Sequence, residues 1–331
     1  MATKTVMELV KGRYADATVG IVDEVSKLVP EIKFFDSRLI KGTQFKTLAR
    51  TSLPTTGFRK LNEGIAASRN GYDMKTFDLG ILAGLVQMDK AEALGDSMRT
   101  KEQVLADEAN GVMVSAFKTL GSKVWYGDSA NAEAFAGAAT LVKDSMVVDA
   151  GGSTANACSS VFAVGNGATD GCGLVLSEES GFLLNGDLEF KEGKMLGKNN
   201  LEVPCFWTDL TGWAGFSCVN ANRLARLANL DATKTLTDAL LADLVGKYEE
   251  ANDGLRPDAL FVSFAQRRAL QKARSAIYPA IRGTKGELTA PTPVDFEGIP
   301  LIATNAIVNT EAVWAEEESS SSSSSSSSSQ G

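Results

Sequence analysis

Most protein chemistry near neutral pH is built on imidazole, and the 331 residues of this chain contain no histidine. That removes Ser-His-Asp and Cys-His nucleophile activation, histidine metal triads and imidazole proton shuttles. Four cysteines remain, Cys158, Cys172, Cys205 and Cys218, none in a C-x-x-C pair. They read as reduced, buried, small apolar residues, with a disulfide or a reactive thiol as the open alternative. Asp187 and Glu189 alternate along a strand-like run, a spacing far commoner on solvated sheet surface than in acid–base machinery. Gly197-Lys198, Gly246-Lys247 and Gly283-Thr284-Lys285 all lack the full spacing of a phosphate-binding G-x-x-x-x-G-K-[ST] loop. Gly165-Asn166-Gly167 is followed by Gly171, one place late for a dinucleotide fingerprint, and is read as a hairpin turn. No catalytic residue, cofactor or metal site is expected, and the chain is read as a non-enzyme.

Charge narrows the partners. Thirty-three Lys and Arg against 41 Asp and Glu leave −8, with a pI near 4.9. Gripping nucleic-acid phosphates needs clustered positive charge, so DNA is at most a non-specific neighbour. Arg267, Arg268, Lys272 and Arg274 share one helix; a solvated face is the leading reading, a charged subunit contact the alternative, and a DNA contact the least favoured given the net charge. Trp125, Trp207 and Trp213 read as core or interface filler. The first residues lack the basic and apolar regions of a signal peptide, and apolar runs such as 81–88 are too short to span a bilayer. The expectation is a protein made in the cytoplasm without a membrane partner.

These residues need elements to position them. Residues 1–48 hold one possible short helix over 6–23, with Phe34, Phe35, Ile40 and Phe45 as anchors of an extended arm. Residues 49–92 read as two strand-like runs around a polar tip, with Asn70-Gly71 as a tight-turn signal. A long two-stranded loop cannot stabilise itself and must lie on another surface, such as a second copy. Phe58, Arg59, Asn62 and Glu63 fall in that loop and are the candidate contacts, with Arg59 and Glu63 as inter-subunit ion-pair partners. Residues 97–120 carry Met98, Leu105, Val112, Met113, Ala116, Phe117 and Leu120 at helical spacing, with Gly121 as the stop. Residues 145–228 read as short strands at 161–164, 174–176, 182–184 and 216–219. Residues 235–315 alternate helix and strand. Leu236 to Tyr248 form an amphipathic helix, 260–262 a buried strand, and Ser263 with Gln266 a capping box opening a helix to Ala276. A strand follows Phe296-Glu297-Gly298-Ile299-Pro300. Residues 316–331, three glutamates and a serine run, cannot bury enough apolar surface to fold.

The order of arm, long loop, long helix, Gly-Asp turn, β block and small α+β layer resembles the tailed-bacteriophage major capsid proteins of the Hong Kong 97-type fold. Four segments carry the resemblance: Leu53-Pro54 through Gly64, Trp125-Tyr126-Gly127-Asp128 with Phe135-Ala136-Gly137, Arg226-Leu227-Ala228-Asn229-Leu230, and Phe296 through Pro300. It implies an α+β fold with an N-terminal arm (1–48), an extended loop (49–92), a peripheral domain (93–230) with spine helix 97–120, and an axial domain (231–315). It further implies self-assembly through pentamers and hexamers into a head shell enclosing DNA, with scaffolding, portal and decoration proteins as partners. In that setting Arg267 and Arg268 would lie near a symmetry axis. A bacterial nanocompartment shell on the same fold and a soluble α+β enzyme are the competing readings.

Overall fold

The computed structural model describes residues 4–5, 29–95, 101–128, 134–167, 169–178, 190–197, 200–282 and 290–315. The expected helix over 6–23, the strand at 182–184, the pair Asp187 and Glu189, and the tail 316–331 lie outside the described residues.

Among the described residues fourteen strands form two six-stranded sheets and a separate ribbon. The first sheet joins β1 (Lys4–Thr5), β2 (Asp36–Ile40), β8 (Cys172–Ser177), β10 (Glu202–Cys218) and β5 (Gly80–Asp89), with β9 (Lys191–Leu196) also on β10. The second runs β13 (Asp295–Phe296), β14 (Ile299–Thr304), β12 (Ala259–Ser263), β7 (Ser159–Val164), β11 (Leu224–Leu230) and β6 (Val147–Asp149). The ribbon is β3 (Gln44–Ser52) with β4 (Gly71–Asp78). Among the described residues there are six α-helices: α1 (Pro30–Phe34), α2 (Lys90–Gly95), α3 (Lys101–Tyr126), α4 (Ala138–Leu141), α5 (Asp238–Ala251) and α6 (Phe264–Arg282).

The central strands of the second sheet, β7, β11 and β12, are buried on both faces, so they are mostly apolar rather than alternating. Along β7 the residues Val161 and Ala163 face a core made with Leu241, Leu244, Val245 and Tyr248 of α5. Phe162 and Val164 face the other way, into a core shared with the long helix and the first sheet. There Trp125 stacks on Phe162 at 4.9 Å and meets Phe261 at 4.8 Å, and Phe35 meets Phe216 at 5.3 Å. The expected arm anchors Phe34 and Phe35 pack into their own chain's core, Phe35 fully buried and Phe34 partly. The capping box forms by half. Ser263 accepts from the Gln266 amide at 3.3 Å, while the Gln266 side chain turns to the Leu236 amide and ties α6 to the start of α5.

Several local expectations are corrected. Gly121 does not stop the long helix, which spans 26 residues, about 39 Å, to Tyr126. The missing side chain serves close packing instead: a Cβ at Gly121 would sit 2.6 Å from Val29 Cγ1. Trp125 and Tyr126 accordingly end a helix, not a turn. Gly165-Asn166-Gly167 is not a hairpin; the chain crosses there from the second sheet to the first, and β7 and β8 never pair. Asn70-Gly71 is not the ribbon's turn, because Gly71 already faces Ser52 and the connection is the whole stretch 53–70. β10 was expected only at its end; it runs 17 residues, changing partners from β9 to β8 along one side.

Two glycines explain the Gly-Asp and Phe-x-Gly segments. The Gly137 amide donates to the Gly127 carbonyl at 2.9 Å, closing the chain against the end of α3. A Cβ on Gly137 would come within 2.4 Å of the Gly127 nitrogen, a backbone atom with nowhere to go. Gly137→Ala is expected to cost about 2–3 kcal/mol by overpacking, read as a lower midpoint in urea unfolding.

Glu31 on α1 is fully buried and its Oε1 accepts from Trp125 Nε1 at 3.0 Å. Burial raises its pKa above the ordinary carboxylate value of 4.5. A raised carboxylate favours the fold while protonated and opposes it once charged. Stability is therefore lost as pH rises from 4.5 through the raised folded value. Glu31→Gln keeps the acceptor and removes the charge. It should raise the thermal midpoint at pH 7, with the gain vanishing by about pH 4, below the free carboxyl's pKa.

Candidate subunit interface and the buried strap

The ribbon is anchored at its base and bare at its tip. Phe45 and Phe77 stack at 6.0 Å and join Leu79 and Val175 in a small core against the first sheet. Arg38 lies 5.1 Å over the Phe45 ring, Gln44 bonds Asp78 at 2.8 Å, and Lys75 Nζ donates to the Val219 carbonyl at 3.0 Å. The first strand already begins at Gln44, inside the segment read as arm, because the alternation of Phe45 and Thr47 continues the pleat.

Beyond Ser52 the support ends. Residues 53–70 form no regular element, and their fixed points are local. The Thr55 amide donates to Ser68 Oγ at 2.8 Å, and a turn closes from the Glu63 amide to the Lys60 carbonyl at 3.2 Å. Asn62 takes the left-handed position of that turn, φ 68°, which asparagine tolerates. Arg59 braces it by donating to the Glu63 carbonyl at 2.8 Å. Within the subunit, then, Arg59 meets the backbone of Glu63 and not its carboxylate. The tip carries Leu53, Phe58, Leu61 and Ile65, all exposed, with Phe58 fully so and Leu61 at 93%. Four large apolar side chains bared on one loop mark an interaction surface.

Arg267 and Arg268 sit elsewhere, on α6, which packs against β12 and β14 of the second sheet. Arg267 lies 5.0 Å over the Phe264 ring and Arg268 is exposed. Arg274 is drawn into a two-pronged pair with Asp238 on α5, Nε at 3.0 and 3.1 Å from its two oxygens. The structure does not bring this group and the loop together.

A third feature escaped the sequence reading. The segment 305–315 lies as a strap across the second sheet. Glu311 exchanges backbone hydrogen bonds with Cys158 at 2.9 and 3.2 Å. Its Oε2 accepts from Arg226 Nη2 at 2.7 Å and Ser160 Oγ at 2.6 Å, and Arg226 Nε donates to Ser160 Oγ at 2.9 Å. Tyr126, at the end of α3, donates its hydroxyl to Glu311 Oε1. Burial, first, and the adjacent carboxylate hold that phenol well above its ordinary pKa. Next along the strap, Asn229, at φ 59°, bonds both backbone groups of Trp314 at 2.8 and 2.9 Å. Asp231 accepts from Thr154, Thr233 and Lys234, which pulls its pKa well below the carboxylate range. No group of three or more metal-ligating side chains occurs among the described residues.

Two sheets sharing a core with a long helix, an anchored ribbon with an apolar tip, and a small helix–strand layer are the parts expected of the Hong Kong 97-type fold. A family model for the major capsid protein GP7 matches residues 16–315, and the chain belongs to that family. A chain from the near-atomic structure of bacteriophage Epsilon15 is similar in fold, with a TM-score of 0.58 at 18% identity over 84% of this chain and 88% of that one. The bacteriophage JBD30 capsid gives 0.48 at 10% over 82% and 88%. The SrpI encapsulin of Synechococcus elongatus gives 0.43 at 9% over 70% and 93%. A comparison with curated proteins finds no match. The chain is a structural capsid protein, and among the described residues no helix is long and apolar enough to cross a membrane.

Proposed function

We propose that this chain assembles through pentamers and hexamers into the icosahedral head shell that encloses phage double-stranded DNA. The observation that carries the reading is the tip of the ribbon: Leu53, Phe58, Leu61 and Ile65 are bared on a base that their own chain holds in place. A second copy is the occupant that every assembling subunit has at hand. Each contact can be modest in area, because closure of a shell makes binding multivalent.

In this reading residues 49–92 are the extended loop and Phe58, Arg59, Asn62 and Glu63 its contact residues. Residues 1–48 are the arm, 93–230 the peripheral domain and 231–315 the axial domain. Arg267 and Arg268 face neighbours around a symmetry axis, where exposed charge sets register more than affinity. Scaffolding, portal and decoration proteins are the further partners, and the net charge of −8 keeps DNA contact non-specific. Assembly takes place in the host's cytoplasm, and the product is the virion head.

Size-exclusion chromatography and negative-stain microscopy of the expressed full chain test this. Closed particles, or rings of five and six, are expected. A monodisperse monomer at high concentration, with 53–70 protected from protease, would overturn it.

A further inference from the structure

Cys172 and Cys218 face each other across the antiparallel pair β8–β10. Their backbones look away from one another. Cys172 donates its amide to the Gly165 carbonyl at 2.9 Å and accepts from the Gly167 amide at 3.0 Å, both in the crossing loop. The flanking bond runs from the Val219 amide to the Gly171 carbonyl at 3.1 Å. The two cysteines are therefore a non-hydrogen-bonded pair, the type whose Cα atoms approach to about 4.5 Å. That lies inside the span a disulfide bridges, about 4.4–6.8 Å. The sulfurs already touch, Sγ to Sγ at 3.4 Å, and Cys218 Sγ lies 3.2 Å from the Asn220 carbonyl. Both side chains are buried, and both are free thiols. Cys158 instead has its thiol on the Thr154 carbonyl at 3.4 Å, and Cys205 pairs across its strands with Asp89 and Gly193.

We infer that Cys172 and Cys218 form a site for intrachain disulfide formation, one that takes a small uncharged two-electron oxidant. Its place in the fold gives it a role. Cys172 follows the crossing from the second sheet to the first, which leaves β7 at Gly165. Cys218 precedes the turn at 219–223 by which it crosses back into β11. One covalent bond between them would tie β8 to β10 where the chain enters and leaves the first sheet, closing a loop of 46 positions. With a diazene oxidant such as diamide the step balances. One sulfur adds to a diazene nitrogen, the second sulfur displaces it, an S–S bond forms, and the two thiol hydrogens end on the two nitrogens of the hydrazine product. Burial raises the pKa of the Cys172 thiol, so the thiolate forms rarely and the reaction is slow. The site stands whether or not the shell reading does.

The test treats the folded full chain with diamide over hours below its unfolding temperature. The protein is then denatured in iodoacetamide, digested, and its peptides weighed without reductant. A linked Cys172–Cys218 peptide, lighter by two hydrogens, is expected, with Cys158 and Cys205 alkylated. The linked protein should melt at a higher temperature, and reductant should restore the original midpoint. Cys172→Ser and Cys218→Ala should each abolish the link and the shift. Recovery of both cysteines alkylated, while the same oxidant links them after unfolding, overturns the site. So does a folded chain that links Cys158 or Cys205 instead. A linked chain with an unchanged midpoint overturns the role given to the tie.

Discussion

Glu311→Ala should lower the unfolding free energy by about 3–5 kcal/mol, the cost of leaving one member of a buried ion pair alone. The side chains of Arg226 and Glu311 are 10% and 6% exposed, so water cannot take the carboxylate's place at the guanidinium. The substitution also strips acceptors from Ser160 and from Tyr126, and an unpaired buried donor costs about 1–3 kcal/mol by itself. The pair joins three distant parts of the chain: the end of α3, the strands β7 and β11, and the strap. Urea unfolding followed by tryptophan fluorescence measures the loss, since Trp125 neighbours Tyr126. The double variant Arg226→Met with Glu311→Leu should recover much of it, because apolar replacements remove the stranded charge. A single-variant loss under about 1 kcal/mol, the value of an exposed pair, would mean that solvent reaches the guanidinium.

The second large effect is on assembly. Phe58→Asp with Leu61→Asp should abolish particles while leaving the subunit folded. Both side chains are exposed in the lone chain, so their loss removes nothing from its core. At an interface each would forfeit about 1.5–3 kcal/mol of apolar burial and place a carboxylate where there was none. In a closed shell that loss recurs at every contact. Unchanged circular dichroism and thermal midpoint, with elution as small species in place of particles, are the expected pair of results. Particles of wild-type yield would show that the loop tip faces solvent in the assembly. Leu48→Asp, exposed on the ribbon before the tip, separates a requirement for the tip from one for the whole ribbon.

The sequence disclosed most where one segment reports its own surroundings. The helix α5 repeats leucines at helical spacing, and β7 and β12 carry the apolar runs 161–164 and 259–262, so all three elements were readable. The long helix was readable too, but its end was not. Gly121 looks like a stop, and only the approach of Val29 from elsewhere in the chain shows why a glycine sits there. Gly165-Asn166-Gly167 failed for a related reason. The residues that reverse a chain within one sheet are the same ones that carry it to another, and the partner strand decides. β10 contains Pro204, Asp209, Gly212 and Gly215, which break the alternation; its length is imposed by the strands on either side. Phe58, Arg59, Asn62 and Glu63 were legible as an unsupported loop, yet the brace from Arg59 to the Glu63 carbonyl was not. The network of Arg226 and Glu311 joins residues 85 positions apart, and Cys172 and Cys218 are 46 apart, distances at which spacing carries no signal.

The strap also fixes an order of events during synthesis. Arg226 leaves the ribosome 85 residues before the carboxylate that neutralises it, and Tyr126 precedes its acceptor by 185. Until then the nascent chain holds an uncompensated cation beside strands that are ready to pair. Closing contacts of such separation is slow, and the waiting intermediate exposes strand edges that invite aggregation.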